Sequence, residues 1–468
     1  MQVEQIYTGC LSQGSYYIIS NGEAVIIDPL REVEPYLERA KRDGVVIKYI
    51  LETHFHADFV SGHLDLAKAT GAKIVYGPNA NPTFDFYSAK DGEVLNFGNV
   101  SFKVLHTPGH TMESTCYLLF DENATENALF SGDTLFIGDV GRPDLAQKSA
   151  SMTMEQLAGM LFHSLRDKIM TLPNEVIVYP AHGAGSACGK NLSKETVSTI
   201  GEQKKNNYAL RADMTEAEFI KEVTDGLLPP PGYFGMNVAM NKAGYDSISE
   251  VMKRGLTPLD LDAFQLIIEN KEVLILDTRN ASEFAKGFIK GSLFVGLEGQ
   301  FAPWVGAMIP NVNQKIVLVT EEGKEEETVK RLARVGYDHV LGYLKGGFQT
   351  WLSSGNSIEK IDRIDADEFA KEMESHPLVI DVRKQGEYEA EHVIDAENIP
   401  LDYINENLNK FPEKPFILHC AGGYRSMIAA SVLKMHGVNG FADVIGGFSA
   451  ISKTAVKTSQ FQCSSKGN

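Results

Sequence analysis

The sequence predicts a mixed α/β chain of three domains, and three observations predict it. Up to about residue 240, short aliphatic runs end abruptly in loops rich in His, Asp and Gly, which is how buried strands read. The remainder carries one α/β pattern twice, and a long internal repeat means duplicated domains. Finally, 468 residues with 43% hydrophobic and 23% charged side chains have an ordinary globular composition, at a length that suits about 150 residues per domain.

Taken in order, Val25-Ile26-Ile27 ends at Asp28-Pro29, and Tyr49-Ile50-Leu51 runs into Thr53-His54-Phe55-His56-Ala57-Asp58. The run 101–105 leads into His106-Thr107-Pro108-Gly109-His110, Ala128-Leu129-Phe130 into Ser131-Gly132-Asp133, and 176–179 into Pro180-Ala181-His182-Gly183. Residues of metal-ligand type therefore gather on strand-end loops, where functional sites concentrate. Between them, Leu157, Leu161, Leu165 and Ile169 stand four apart and predict an amphipathic helix over 154–169. Pro229-Pro230-Pro231-Gly232 breaks the pattern, and the first domain is assigned to 1–245.

Two shorter α/β units follow. Asp277-Thr278-Arg279 follows the strand 273–276, and Asp381-Val382-Arg383 follows 378–380. Glu283-Phe284 matches Glu387-Tyr388 at the same offset of 104, whereas Lys345-Gly346-Gly347-Phe348 matches Ile445-Gly446-Gly447-Phe448 at 100. The first copy is thus longer in its middle. Domains at 255–356 and 360–456 follow, divided at the polar stretch Ser353-Ser354-Gly355-Asn356-Ser357.

Charge and composition exclude several partners. With 44 basic against 62 acidic residues the net charge is −18, which repels nucleic acid and anionic lipid. No apolar run approaches the length that spans a bilayer, and Met1-Gln2-Val3-Glu4-Gln5 does not read as a signal peptide. Five cysteines are too few for a disulfide framework and fit a reducing compartment. The expected location is cytoplasmic.

His54-x-His56-x-Asp58, His110, Asp133 and His182 lie on four separate strand-end loops. Any one of these histidines alone would read as structural; the ordered set reads as a metal centre. In His-x-His at a strand end both imidazoles point the same way, because alternate residues share a face. The stretches Thr53–Asp58, Thr107–Thr111, Ser131–Thr134 and Ala181–Gly183 together resemble the metallo-β-lactamase superfamily, in its order. That resemblance implies an αββα sandwich with metal at the strand ends.

The superfamily includes dinuclear zinc hydrolases and mononuclear iron persulfide dioxygenases. The hydrolase pattern has a histidine directly after the aspartate, and here that residue is Phe59. A second metal would be left with Asp58, His182 and the Asp133 bridge. The run from Gly132 through Arg142 to Asp144 resembles the dioxygenase branch. By that resemblance His54, His110 and Asp133 bind one Fe(II) per chain, and two imidazoles with one carboxylate leave positions open for dioxygen and a sulfur ligand. His56, Asp58 and His182 would orient ligands and waters. Arg142 either pairs with a substrate carboxylate or phosphate, which its planar fork suits, or forms an internal salt bridge. Cys188 either contacts a persulfide or is a small buried residue. Cys10 and Cys116 read as core, and Cys463 as part of a polar tail.

A second chemistry sits in the last unit. The strand 416–419 ends in Cys420-Ala421-Gly422-Gly423-Tyr424-Arg425-Ser426, and an amphipathic helix follows. A cysteine between a strand and a helix N-terminus, ringed by backbone N–H groups, favours the thiolate, and Arg425 can close the ring on an anion. This loop resembles the rhodanese active loop, as do Asp381-Val382-Arg383, Glu387-Tyr388, His392 and Asn398-Ile399-Pro400 around it. Glu391 and Asp395 stand where that family usually has glycines. Four residues separate Cys420 from Arg425, one fewer than in phosphatase loops, and the tighter ring suits a single sulfur atom. By this resemblance Cys420 carries a persulfide, cradled by Ala421, Gly422, Gly423, Tyr424 and Ser426. In the first copy Thr320 stands in that place, in Thr320-Glu321-Glu322-Gly323-Lys324-Glu325-Glu326. It has no sulfur carrier, and its glutamates repel anions.

Together the resemblances imply oxidation of a low-molecular-weight thiol persulfide by dioxygen to sulfite and thiol. That reaction would be coupled to rhodanese sulfur transfer, with thiosulfate made or used. The expected partners are the thiol persulfide, dioxygen and sulfite or thiosulfate, within a dimer or tetramer of the same chain. The alternatives are a dinuclear zinc thioester hydrolase of glyoxalase II type carrying a rhodanese domain, and a sulfur relay without turnover in its first half.

Overall fold

Successive strand residues point to opposite faces, and the first half uses both faces. In a computed structural model describing residues 1–190, 192–227 and 229–459, Tyr16, Ile18, Val25, Ile27 and Leu51 turn to one side of their sheet. Tyr17, Ala24, Ile26 and Ile50 turn to the other. Both sides are therefore buried, and the predicted sandwich follows. Cys463 lies outside the described residues.

Among the described residues, the first unit (Met1–Glu250, with the segment Leu332–Gly336 grouped with it) holds two six-stranded sheets. One runs Gln2–Thr8, Gln13–Ser20, Glu23–Ile27, Val46–Leu51, Lys73–Tyr76, Tyr87–Ser88; the other runs Ser198–Thr199, Ile177–Pro180, Glu126–Gly132, Thr115–Phe120, Val100–His106, Val94–Phe97. Their inner faces meet through Tyr16, Phe97, Phe102, Tyr117 and Phe130. The outer face of the first sheet packs on Tyr36, Ala40 and Leu66 from helices Glu34–Asp43 and His63–Thr70. The outer face of the second packs on Leu157, Leu161, Leu165 and Ile169.

Those four residues are the stripe predicted over 154–169, all fully buried. The helix Met154–Ser164 opens with a capping box between Thr153 and Gln156, which satisfies two orphan N–H groups. It continues as a π-helical turn over Leu165–Ile169.

The second unit, from Val251 onward apart from Leu332–Gly336, contains both repeats. Each has a five-stranded parallel sheet with the same order: Pro258–Leu259, Val340–Leu344, Lys315–Val319, Val273–Asp277, Ser292–Phe294, and Asp362–Ile364, Phe441–Val444, Phe416–His419, Leu378–Asp381, Glu397–Asn398. The duplicated Asp-x-Arg motif closes the same knot twice. Arg279 grips Asp277 and Gly287 O and lies 4.0 Å over the Phe348 ring. Arg383 grips Asp381 and Glu391 O and lies 4.0 Å over Phe448. Of the two replaced glycines, Glu391 sits in extended backbone that any residue adopts. Asp395 takes φ 67° where the first copy has Gly291 at φ 85°, a left-handed position that Asp tolerates better than most residues.

Candidate functional site

Strand ends of both sheets in the first unit deliver the predicted metal residues to one buried place. Among the described residues, His54, His110 and Asp133 bring one donor atom each to within 4.8 Å of one another. His110 Nε2 stands 3.4 Å and His54 Nε2 3.8 Å from Asp133 Oδ2, and that oxygen has no hydrogen-bond donor although buried.

The tautomers follow from the surrounding bonds. The Thr53 hydroxyl donates to Asp28 Oδ2 at 2.8 Å, so it accepts from His54 Nδ1 at 2.9 Å. His110 Nδ1 donates to Arg142 O at 2.8 Å. Both Nε2 lone pairs are thereby aimed at Asp133, the outer-layer orientation that ligating histidines need. The close packing also requires glycine at 141, because a Cβ there would lie 2.0 Å from Asp133 O.

Charge states agree with this geometry. Burial, and then His56, push His54 well below the ordinary histidine range, so it is neutral. Burial alone would raise Asp133, but the imidazoles of His182, His54 and His110 outweigh it and keep the carboxylate ionised. A neutral His54 imidazole and an ionised Asp133 carboxylate are the forms that bind a cation.

The other predicted residues divide into two groups. His56 turns away from the first set: its Nε2 lies 3.1 Å from Asp28 Oδ1 and 3.7 Å from Glu52 Oε2, and its ring packs on Phe59 at 4.3 Å. Glu52, buried and next to Asp28, is pushed well above the usual carboxylate range. Asp58, His182 and Cys188 form a further buried group. His182 Nδ1 lies 2.8 Å from Asp133 Oδ1 and its Nε2 2.8 Å from Asp58 Oδ2. Burial opposes charge on His182, and the Asp133 and Asp58 carboxylates outweigh it.

Arg142 spends its fork on Asp144 at 2.7 and 2.8 Å and gives another donor to Ala187 O at 3.1 Å. Its geometry is that of the internal salt bridge.

Two residues absent from the predicted set shape the centre. Asp28 accepts from Thr53 N at 2.7 Å as well as from its hydroxyl; its position after Ile27 and before Pro29 was the available signal. Asn241, on helix Phe234–Ala243, donates to His56 O and Phe59 O at 2.8 Å each and accepts from Ser61 N at 2.9 Å. Nothing in the local sequence signals it, because its partners lie about 180 residues earlier.

In the second unit, Cys420 ends the strand Phe416–His419 and precedes helix Tyr424–Met435. Its Sγ accepts from Gly423 N at 3.1 Å. Phe448 N donates to Cys420 O at 2.7 Å and Ser449 N to Ala421 O at 2.9 Å, so the Gly446-Gly447 turn props the loop from behind. Ser426 is fully buried. Arg425 donates to both oxygens of Glu387, at 2.6 and 2.8 Å; the charge expected to close the ring is shared with a carboxylate.

Cys420 lines a cleft of about 790 Å³ together with Gly422, Gly423, Tyr424 and Arg425. Arg279, Ser282 and Trp304 from the repeat without a cysteine form part of the wall, as do Arg363 and Lys384. Tyr424 donates to Gly296 O at 2.7 Å, and Phe294 N donates to Ser431 Oγ at 3.0 Å. The first repeat thus braces the Cys420 loop and the helix that follows it.

Comparisons with known proteins agree with both halves. The family model of the metallo-beta-lactamase superfamily matches residues 8–182, and that of the rhodanese-like domain matches 260–354 and 365–454. The human mitochondrial persulfide dioxygenase ETHE1 is 31% identical over 221 residues, covering 47% of this chain and 78% of that protein. The hydroxyacylglutathione hydrolase of Tolumonas auensis is 35% identical over 184 residues, covering 38% and 65%. The crystal structure of a metallo-beta-lactamase from Staphylococcus aureus subsp. aureus COL matches with a TM-score of 0.64 at 32% identity, covering 74% of this chain and 99% of that one.

Proposed function

We propose a function from this premise: the chain belongs to the metallo-β-lactamase superfamily and carries two rhodanese-like domains behind that fold. Its first domain oxidises a low-molecular-weight thiol persulfide with dioxygen to sulfite and thiol. Cys420 moves sulfane sulfur as an enzyme-bound persulfide.

The observation that carries this reading is the direction His56 faces. It sits with Asp28 and Glu52, so the first donor set is His54, His110 and Asp133. Two imidazoles and one carboxylate on one face make the donor set of non-haem Fe(II) oxygenases. The residues fit such an ion, because the buried Asp133 Oδ2 lacks a donor and both facing Nε2 atoms carry lone pairs. Bound iron would supply the redox chemistry that zinc lacks. The chain's own part is orientation: Thr53 and Arg142 O hold the two rings, and His182 holds Asp133 from the other side.

At Cys420 the Gly423 N–H stabilises sulfur charge. Sulfite attacks the outer sulfur of the Cys420 persulfide; the S–S bond to Cys420 breaks, its electron pair stays on Cys420, and thiosulfate leaves. Run backwards, the same step loads Cys420.

The test is dioxygen uptake by the Fe(II)-reconstituted full chain on adding glutathione persulfide or coenzyme A persulfide. Uptake is expected to vanish in His110→Ala and to survive in Cys420→Ser. No uptake by protein that demonstrably holds iron would refute the reading. The likeness to the Tolumonas auensis hydrolase supports zinc-dependent thioester hydrolysis as the second reading, which Phe59 disfavours. Hydrolysis of S-lactoylglutathione by the zinc-loaded chain separates the two.

A further inference from the structure

Five residues from the repeat without a cysteine belong by their contacts to the first unit. Leu332–Gly336 falls at the end of helix Glu325–Arg334 and groups with Met1–Glu250. Leu332, Ala333 and Val335 are fully buried. A helix leaves its last carbonyls without intrahelical partners, and here two of them find donors in the first unit. Arg334 O accepts from Val60 N at 2.7 Å, and Ala333 O accepts from Arg31 Nη1 at 2.7 Å. Val60 and Arg31 are 0% exposed, and a buried N–H needs such a partner.

The Arg334 side chain extends the grip. Its Nε and Nη2 donate to Glu32 Oε1 at 2.8 and 2.5 Å, and its Nη1 donates to Cys10 Sγ at 3.4 Å. The Glu32 side chain is 9% exposed and that of Arg334 20%, so salt screens the pair little. Gly336 allows the segment to lie this close. It takes φ 83°, and a Cβ there would stand 2.7 Å from Asn237 Oδ1 and 2.9 Å from Met240 Sδ, both on helix Phe234–Ala243.

The two loops that Arg334 touches are joined to each other. Leu30 bridges to Ser61, Gly62 N donates to Pro29 O at 3.0 Å, and Ser61 Oγ donates to Pro29 O at 3.1 Å. Asn241 bonds Phe59 O and Ser61 N, on either side of Val60; the Val60 N–H between them goes to Arg334. The loops also flank the metal residues. Residues 59–62 follow Asp58 directly, and residues 28–32 begin at Asp28, held at φ 48°, a left-handed position. Asp28 Oδ2 accepts from the Thr53 hydroxyl, which accepts from His54 Nδ1. A shift at Glu32 therefore reaches the His54 ring through Asp28 and Thr53.

We propose that Arg334 is a positioning residue for the metal centre, supplied by the repeat that has no sulfur carrier. Through Glu32 and Val60 it fixes loops 28–32 and 59–62, and through them the orientation of His54. This gives the repeat without a cysteine a duty in the first domain's chemistry. The effect on His54 rests on the reading of His54, His110 and Asp133 as a metal centre; the grip on the two loops does not.

The test is hydrogen exchange in the metal-free full-length chain, read by mass spectrometry in peptides covering 28–32 and 59–62. Arg334→Ala should speed exchange in both stretches by about tenfold or more, the scale of one lost hydrogen bond to a charged group. Peptides of the Cys420 loop should keep the parent rate. Cobalt(II) affinity, read by chelator competition, should fall by about 10- to 100-fold, as on losing an outer-layer partner. Two further variants separate charge from bulk: Arg334→Lys keeps the charge and should recover most of the protection and affinity, whereas Arg334→Met keeps the stem and should behave like alanine. Should Arg334→Ala fail to fold, Glu32→Gln keeps the shape, removes the charge partner and is read in the same two stretches. Unchanged exchange in both loops, exchange raised equally along the whole chain, or full protection in Arg334→Met overturns the proposal. A parent chain that binds no cobalt refutes the metal-centre reading, while the exchange rates still decide whether Arg334 holds the loops.

Discussion

Replacing Asn241 by alanine tests whether a helix far along the chain holds the metal loop in shape. The side chain is 1% exposed and bonds His56 O, Phe59 O and Ser61 N at 2.8 to 2.9 Å. Truncation leaves these buried backbone groups without those partners, at about 1–3 kcal/mol each when nothing replaces the bond. Partial collapse and water entry reduce the sum, so a loss of about 3 kcal/mol is expected. In a unit of this size that lowers the melting temperature by roughly 6–12 °C, at about 2–4 °C per kcal/mol. Because the loop carries His54 and Asp58, metal affinity should fall by about 10- to 100-fold, as on losing an outer-layer partner. Asn241→Asp should be worse than alanine, since it sets a carboxylate against two carbonyl oxygens. Calorimetry of the full chain, with and without metal, reads the first quantity, and competition with a chromogenic chelator reads the second. A melting transition within 2 °C of the parent and unchanged metal affinity, in either variant, would refute the argument.

Other outcomes follow from the same contacts. Burial, followed by His56, lowers His63 to about 3, so the unfolded chain takes up a proton below pH 6.5 that the native state refuses. Stability is therefore lost as pH falls from 6.5 toward 3, by about 2 kcal/mol at pH 5. His63→Phe, which suits the packing on Phe84 and Tyr245, should move acid unfolding to lower pH; an unchanged acid midpoint would count against it. Gly447 has φ 53°, and a Cβ there would stand 2.3 Å from Cys420 O. Gly447→Ala should cut sulfur transfer to cyanide by about 100-fold, the scale of a 1 Å misplacement, whereas Gly347→Ala beside Thr320 O changes the rate only a few-fold. Arg383→Met strands the fully buried Asp381 carboxylate and should cost about 3–5 kcal/mol by urea denaturation.

Much of this protein is legible without coordinates, because its signals are local. Short aliphatic runs ending in His, Asp and Gly place the donors at strand ends, since side-chain alternation and turn chemistry act over a few residues. The stripe from Leu157 to Ile169 names its helix for the same reason, although its last turn opens into a π-helix. The duplicated Asp277 and Asp381 motifs, and Cys420 between a strand and a helix N-terminus, are visible because each is one supersecondary unit.

What the tertiary structure alone decided is pairing through space. That His56 turns to Asp28 and Glu52, that Arg142 spends its fork on Asp144, that Arg425 is shared with Glu387, and that Asn241 closes the loop at His56 and Phe59 cannot be read from spacing. Nor can the meeting of Cys188 with Asp58 and His182, or the wall that the repeat without a cysteine gives to the Cys420 cleft. The physical reason is common to all of them. A buried polar group must find a partner, so sequence can announce the need. Which partner meets it depends on which loops the sheets bring within 3 Å, and only the packed fold sets that.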